Sequence, residues 1–194
     1  KISAIVEKLV PSDIAGLAPG KVQLTVLLNE DGGIIDDLMI GRPADPARQG
    51  MLYIVVNAGT KDNDFALIQK TADIDAELRR ADDRALIALQ GPEAEAVIAT
   101  IIPEAVALTF MHFVRVEHPE HGRMIATRCG YTGEDGFEIL VAADKAEAFA
   151  EKLLSDPRVK PIGLGARDSL RLEGGMCLYG HDIDTTKTPV SASL

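Results

Sequence analysis

The sequence predicts an α+β fold with mostly antiparallel sheets and packed helices. Three observations indicate this class: strand-like stretches with alternating apolar residues come in pairs, short turns separate the members of each pair, and helical stretches interrupt the pairs. The chain has 194 residues and a hydrophobic content of 46%, which is enough to form a core.

The first predicted elements are a helix and a hairpin. Residues 1–13 predict a short amphipathic helix that ends before Pro11. Residues 22–43 predict two strands joined by a long turn at residues 29–33, because apolar stretches flank a cluster of Asn, Asp and Gly there.

A strand and a helix complete the first predicted subdomain, residues 1–80. Residues 51–58 predict the strand. The apolar spacing within residues 62–71 predicts a helix that Asp62 or Asn63 caps, since both side chains can accept a hydrogen bond from a free backbone N–H.

The second predicted subdomain, residues 81–194, continues the mixture of strands and helices. Residues 84–91 predict a strand, and residues 92–102 predict a helix with Pro92 near its first turn, where the missing N–H costs least. The later predicted strands are 112–118, 123–131 and 136–143, and the later predicted helices are 143–156 and 166–173.

Charge and cysteine content limit the class of protein. The chain has 30 acidic and 20 basic residues, and this excess argues against a nucleic-acid or membrane partner, because either would favour a basic surface. Cys129 and Cys177 are too few for a disulfide framework and lack metal-ligand spacing, so reduced thiols and no metal site are expected. No run approaches the roughly 20 apolar residues that cross a bilayer, so a soluble intracellular protein is expected.

The stretch GYTGEDGFEI, residues 130–139, is the first candidate for a functional site. A turn that leads into a strand explains its glycines and its first two carboxylates. On that strand Phe137 and Ile139 share one face, so Glu138 shares the other with Leu140. A carboxylate beside an apolar side chain lies either at a rim or inside a polar pocket.

Two adjacent aspartates form the second candidate. Asp36 and Asp37 lie inside the apolar run GGIIDDLMI and point to opposite faces of a strand. At least one of them must then lie against apolar surface, which is costly unless the carboxylate is paired, hydrogen-bonded or functional. An edge strand is the alternative explanation.

Two arginines form the third candidate, in the stretch GLGARDSLRLE. Arg167 and Arg171 are four residues apart and share a face of the predicted helix. An ion-pair lattice with Asp168 and Glu173 explains them equally well. The GLG pattern is not a phosphate loop, because the lysine and the hydroxyl of a P-loop are absent.

Five stretches of the chain taken together are more specific than any one of them. They are GGIIDDLMI, YIVVNAGTKDND, ALQGPEAEAV, TRCGYTGEDGFEI and GLGARDSLRLEGGMCLYGHDID. Their order and approximate spacing resemble those of the aminomethyltransferase (T-protein) family of the glycine cleavage system, from about residue 16 onward. The resemblance implies folate-binding T-protein-like domains and a fragment that lacks the family's N-terminal segment and C-terminal barrel domain.

The resemblance implies a one-carbon transfer. The donor would be an aminomethyl group on the lipoyl arm of H-protein, and the acceptor would be tetrahydrofolate, with ammonia, 5,10-methylenetetrahydrofolate and dihydrolipoyl H-protein as products. Lipoylated H-protein is thus the implied partner and tetrahydrofolate the implied cofactor. The implied location is the bacterial cytoplasm, with the mitochondrial matrix as the alternative.

The resemblance also implies roles for particular residues. Asp37 matches the second aspartate of the family's DDL motif, so it is the implied catalytic residue, which positions the folate and stabilises positive charge on an iminium-like intermediate. Asp36 is then its structural partner. Glu138 matches the pterin-binding glutamate, whose two oxygens suit the N3–H and 2-amino donors. The other implied folate-binding residues are Arg167, Asn57 and Tyr179.

Three alternatives remain open at this point. The chain could be the folate-binding domain of a dimethylglycine or sarcosine dehydrogenase, but these need a preceding flavin domain, and IDDL and GARDSLRLE are closer to T-protein. It could be an iron–sulfur-repair folate-binding protein, which loss of Asp37 would have favoured, but Asp37 is present. It could also be a folded fragment without activity of its own.

Overall fold

Two separate antiparallel sheets, each with its own helices, confirm the α+β class in the structure, a computed structural model that describes residues 1–194. The chain divides into two compact units. The first unit contains residues 1–80 and 177–194, and the second contains residues 81–176. The structure thus differs from the expected division only in residues 177–194, which belong to the first unit.

Apolar packing and backbone bonding explain this difference. Ile183 is buried in one cluster with Val26 and Ile34, and Tyr179 packs against the same cluster. The Ile34 N–H donates to the Lys187 carbonyl at 3.0 Å. The last residues therefore complete the core of the first unit, a long-range pairing that no local pattern could indicate.

The first unit is built on a three-stranded sheet in which β2 is central. Its strands are β1 (Val22–Leu28), β2 (Ile34–Gly41) and β3 (Tyr53–Val55), and its helices are α1 (Ile2–Val6) and α2 (Lys61–Ala72). The predicted hairpin turn is confirmed: the Asn29 side chain accepts hydrogen bonds from the N–H groups of Asp31 and Gly33, at 3.0 and 2.7 Å.

Two local predictions for this unit were wrong in detail. Only Tyr53–Val55 of the predicted strand 51–58 is regular, because its pairing with β2 ends there. The predicted cap of α2 is also wrong, since Thr60 occupies the N-cap position and makes no side-chain cap bond. The Thr60 hydroxyl instead donates to Asp36 Oδ2 at 2.8 Å, so tertiary structure competes successfully for the capping group.

The second unit has a four-stranded sheet with the order β4-β7-β6-β5. Its strands are β4 (Arg84–Gln90), β5 (His112–His118), β6 (Gly122–Arg128) and β7 (Gly136–Ala142), and its helices are α3 (Ala94–Ile98), α4 (Ala146–Leu154) and α5 (Leu164–Glu173). Phe137, Ile139 and Val141 of β7 are fully buried and form its core with residues of α3 and α4. None of the helices in either unit has the length and apolar character needed to span a membrane.

Candidate functional site

The two aspartates of β2 have different surroundings. Along this strand burial alternates, so Asp36 lies inward with Ile34 and Leu38, whereas Asp37 is only half-buried. Asp36 is 0% exposed. β2 is the central strand of its sheet rather than an edge strand, but its ladder with β3 covers only Met39–Gly41, so at Asp36 and Asp37 it is paired with β1 alone.

The Asp36 carboxylate is held by three donors. Its Oδ1 accepts from Asn57 Nδ2 at 2.9 Å, and its Oδ2 accepts from the Asn57 N–H at 3.2 Å and from the Thr60 hydroxyl at 2.8 Å. These bonds replace the water that burial removes and so make an ionised carboxylate tolerable there.

Asn57 links Asp36 to Asp37. Its Nδ2 also donates to Asp37 Oδ1 at 2.8 Å and to the Asp37 carbonyl at 3.2 Å. The pairing of Met39 with Val55 explains this geometry, because the same register two residues further on places Asn57 opposite Asp37, just beyond the end of the ladder. The predicted ligand residue Asn57 therefore uses its amide nitrogen to orient the predicted catalytic residue.

A further carboxyl, Asp64 of α2, lies close to this arrangement. It is 0% exposed, and neither of its oxygens accepts a hydrogen bond. The Thr60 hydroxyl, the nearest donor, gives its hydrogen to Asp36 instead. Burial is the main cause that raises the pKa of Asp64 to about 7, and the negative charge of Asp36 and a side-chain hydrogen bond with Asp36 add to the effect.

The sequence prediction missed Asp64 because a carboxylate in the first turn of a helix is usually solvated and stabilised by the helix dipole. A signal was nevertheless present. Asp64, Ile68 and Ala72 follow each other at intervals of four, and all three lie on the buried face of α2.

Tyr179 belongs to the same unit and lies near these acidic groups. It forms an isolated bridge with Ile183 and packs on the cluster that contains Ile34. Burial raises the pKa of its hydroxyl above the ordinary value, and the charges of Asp36 and Asp64 raise the pKa further. The structure therefore groups Asp37, Asn57 and Tyr179, all predicted site residues, within the first unit.

Glu138 lies in the second unit, on the face of β7 opposite to its core residues, as the alternation predicted. Small residues oppose it on both neighbouring strands, Ala88 on β4 and Thr127 on β6. Burial raises the pKa of Glu138, whereas the hydrogen bond with Cys129 and the charge of Arg167 lower it. The Glu138 carboxylate is thus partly desolvated, and its interactions with Cys129 and Arg167 offset only part of the cost of burying its charge.

The turn before Glu138 is fixed by side chains. Arg128 Nε and Nη2 donate to Asp135 Oδ1 and Oδ2 at 3.0 and 2.5 Å, and Nη2 also donates to Glu95 at 2.5 Å. Gln90 Nε2 donates to the Cys129 carbonyl at 3.0 Å. A Cβ atom at Gly136 would meet the Gln90 amide, so glycine permits the close approach of this side chain.

The two arginines of α5 have different roles. Arg171 is buried and forms an ion pair with Asp168, with 2.9 Å between Nε and Oδ1. This pair agrees with the ion-pair explanation of the two arginines. The Arg167 guanidinium instead lies over the Tyr131 ring, 4.4 Å from its centre, and its charge acts on Glu138. Arg167, Tyr131 and Glu138 therefore form the candidate ligand-binding group of this unit.

Cys129 is a second residue whose role the sequence did not indicate. It is 4% exposed, and burial is the main cause that raises the pKa of its thiol well above the ordinary value, with further contributions from the charge of Glu138 and the hydrogen bond to it. Cys129 and Cys177 are both thiols rather than halves of a disulfide. No group of three or more His, Cys, Asp or Glu residues is arranged to hold a metal ion.

The Cys129 thiol is expected to resist alkylation, because the thiolate is the reactive form and both burial and the neighbouring carboxylate disfavour it. Labelling with iodoacetamide at pH 8, resolved to the Cys129 peptide by mass spectrometry, should be at least about 100-fold slower in the folded than in the denatured protein. Equal rates in the two states would contradict this environment.

Comparisons with known proteins give consistent relatives. The sequence matches the family described as GCVT N-terminal domain over residues 1–194. It is 44% identical to the mitochondrial aminomethyltransferase of Flaveria anomala, covering 98% of this chain and 48% of that protein, and 45% identical to that of Mus musculus, with the same coverage. The crystal structure of glycine cleavage system aminomethyltransferase T from Bartonella henselae superposes with a TM-score of 0.83 at 43% identity, covering 97% of this chain and 50% of that one. The chain therefore spans about half the length of these relatives.

Proposed function

This chain belongs to the GCVT N-terminal domain family, the aminomethyltransferase family of the glycine cleavage system, and from this membership we propose the reaction of the complete protein. The enzyme transfers the one-carbon unit of an aminomethyl group, carried on the lipoyl arm of H-protein, to tetrahydrofolate. Lipoylated H-protein is the proposed partner. The mitochondrial names of the curated relatives support the matrix alternative for its location, and the cytoplasmic location stays a prediction.

The proposed reaction needs no oxidant or reductant. The carbon–sulfur and carbon–amine bonds of the aminomethyl group break, and the carbon forms two bonds to folate nitrogens. The two hydrogens displaced from these nitrogens balance the products, because one ends on the lipoyl sulfur and the other on ammonia. Positive charge develops at the carbon while its bonds change, so a fixed negative charge nearby would lower the barrier.

The observation that carries most of the proposal is the fixed orientation of Asp37. Its Oδ1 accepts a 2.8 Å hydrogen bond from Asn57, which Asp36 holds in turn. A carboxylate oriented before the reaction needs no reorganisation when charge develops, and this is the main advantage of electrostatic catalysis in a protein. We assign Asp37 the role of stabilising the positively charged carbon and Asn57 the role of orienting Asp37.

In the second unit we assign folate binding to Glu138 and Arg167. The two oxygens of the Glu138 carboxylate fit a pterin edge with two N–H donors, and burial, which raises the pKa of Glu138, leaves its ionised form without part of the stabilisation that water would give. A donor edge would supply that stabilisation. Arg167 over Tyr131 offers a planar cationic group for a folate oxygen or carboxylate. Tyr179 is the proposed folate-lining residue of the first unit.

The proposed function is tested with the complete protein, aminomethylated H-protein and tetrahydrofolate. We expect formation of 5,10-methylenetetrahydrofolate and one equivalent of ammonia. H-protein without its lipoyl group is the control and should give neither product. A protein that binds folate yet forms no product from the lipoylated donor would contradict the transferase and favour a folate-binding role alone.

A further inference from the structure

Asp64 is the buried titratable group that the proposed reaction leaves unexplained. Both of its oxygens are buried and accept no hydrogen bond, and the Asp36 carboxyl group lies close enough to share a side-chain hydrogen bond with it. An isolated ionised carboxylate in such a place would cost far more than a neutral one. An apolar side chain at this position of α2 would avoid that cost, so we expect the carboxyl group of Asp64 to have a specific role.

The hydrogen bonds decide which of the two carboxyl groups carries a proton. Asp36 accepts from three donors, two on Asn57 and one on Thr60, so it is the ionised member. A carboxylate has about four acceptor sites, so one remains for a further donor. Asp64 has no donor directed at it, because the single Thr60 hydrogen goes to Asp36. Asp64 is therefore the member suited to hold the proton.

We propose that Asp64 is a positioning residue for Asp37: as a neutral acid it directs its proton to Asp36, and this proton keeps Asn57 in place on both aspartates. The proposal rests on the proposed function of Asp37. It adds a residue that does not touch the substrate and acts only through Asp36 and Asn57.

Loss of the proton would disturb the arrangement in a defined order. Two adjacent buried carboxylates would repel each other, so Asp36 would draw back or bind its donors less well. Asn57 Nδ2, which Asp36 and Asp37 share, would then no longer be fixed. The groups that act on the pKa of Asp64 are the neutral Thr60 and the acidic Asp36, and the pKa of the neighbouring Tyr179 is raised by burial and by the charges of Asp36, Asp64 and Asp184.

The first measurement follows the Asn57 side-chain amide by NMR in the complete protein with 15N-labelled asparagine. The Asn57 signals, assigned by their absence in Asn57→Ala, should shift with a midpoint about pH 7, where Asp64 loses its proton. The shift should be absent in Asp64→Asn, which mimics the neutral acid. Asp62→Asn is the matched control, because Asp62 lies on the same helix with its side chain 80% exposed, and it should titrate like the wild type.

The second measurement is the pH dependence of turnover. In the wild type kcat should fall at least about three-fold as pH rises through the same midpoint, with KM for folate unchanged, because the orientation of Asp37 affects the reacting state rather than binding. Asp64→Asn should lack this fall and keep kcat within about three-fold of the wild-type value at pH 6. A merely structural Asp64 would leave the pH profile of the variant like that of the wild type.

The outcomes of these measurements separate failure of this proposal from failure of the proposed function. Wild-type Asn57 signals that do not move near this pH would overturn the proposal even if Asp64→Asn does not fold. Signals that move equally in Asp64→Asn would overturn it as well. If the amide titration behaves as expected and the protein forms no methylenetetrahydrofolate, then the proton shared by Asp36 and Asp64 stands and the proposed function fails.

Discussion

The substitution Asp37→Asn is expected to lower kcat of the complete protein by about 10²-fold or more, while folate affinity stays within a few-fold. Asparagine keeps an oxygen that can accept the Asn57 hydrogen bond, so the local geometry can survive while the negative charge is lost. The loss should therefore fall on the step in which positive charge develops. Steady-state kinetics at saturating aminomethylated H-protein, with folate binding by calorimetry, separates the two effects.

Asp31→Asn is the matched control for this substitution. Asp31 is exposed in the turn of the same hairpin, so the same chemical change there should leave kcat unaltered. Undiminished turnover of Asp37→Asn would remove Asp37 from the mechanism. A large loss of folate affinity with unchanged kcat would instead make it a binding residue.

The second large effect is expected on binding. Glu138→Ala should weaken binding of a reduced folate such as 5-formyltetrahydrofolate by about 10- to 100-fold, since hydrogen bonds to a charged group contribute roughly 1.5–3 kcal/mol. Calorimetric titration of the complete protein measures this loss directly. Glu134→Ala is the control, because Glu134 is exposed in the preceding turn. Equal affinity of both variants would exclude Glu138 from the pterin site.

The pH dependence of folate binding follows from the raised pKa of Glu138. Burial makes the folded protein hold this proton up to a higher pH than an ordinary glutamate would. The ionised carboxylate, which is the form that accepts hydrogen bonds, is therefore lost as pH falls through the raised pKa. Folate affinity should then begin to decline at a higher pH than it would if this carboxylate were exposed. Glu138→Gln should bind weakly at every pH and lack this decline.

Local patterns were sufficient to predict most elements. The hairpin around residues 29–33 and the position of Glu138 on the outer face of β7 are both as predicted. Each depends on neighbours within a few residues, such as the alternation of side chains along a strand or an Asn side chain that closes its own turn. The opposite faces of Asp36 and Asp37 follow from the same alternation.

Other features needed contacts between distant parts of the chain. Thr60 does not cap α2, because Asp36, 24 residues earlier, takes its hydroxyl. Asp64 would be solvated in an isolated helix, and it is buried only because α2 turns that face inward. Arg167 and Arg171 are equivalent by spacing, yet one is paired with Asp168 and the other lies over Tyr131.

The sequence by itself therefore determined the α+β class, because side-chain alternation and turn chemistry are local properties of a chain. The order of its motifs along the chain gave the family resemblance, which in turn selected Asp37 and Glu138 as candidates. Only the tertiary structure decided that residues 177–194 join the first unit, that Asn57 fixes Asp37, and that Asp64 is buried beside Asp36. These three features depend on which surfaces are buried against each other, and the packing of elements far apart in the sequence decides that.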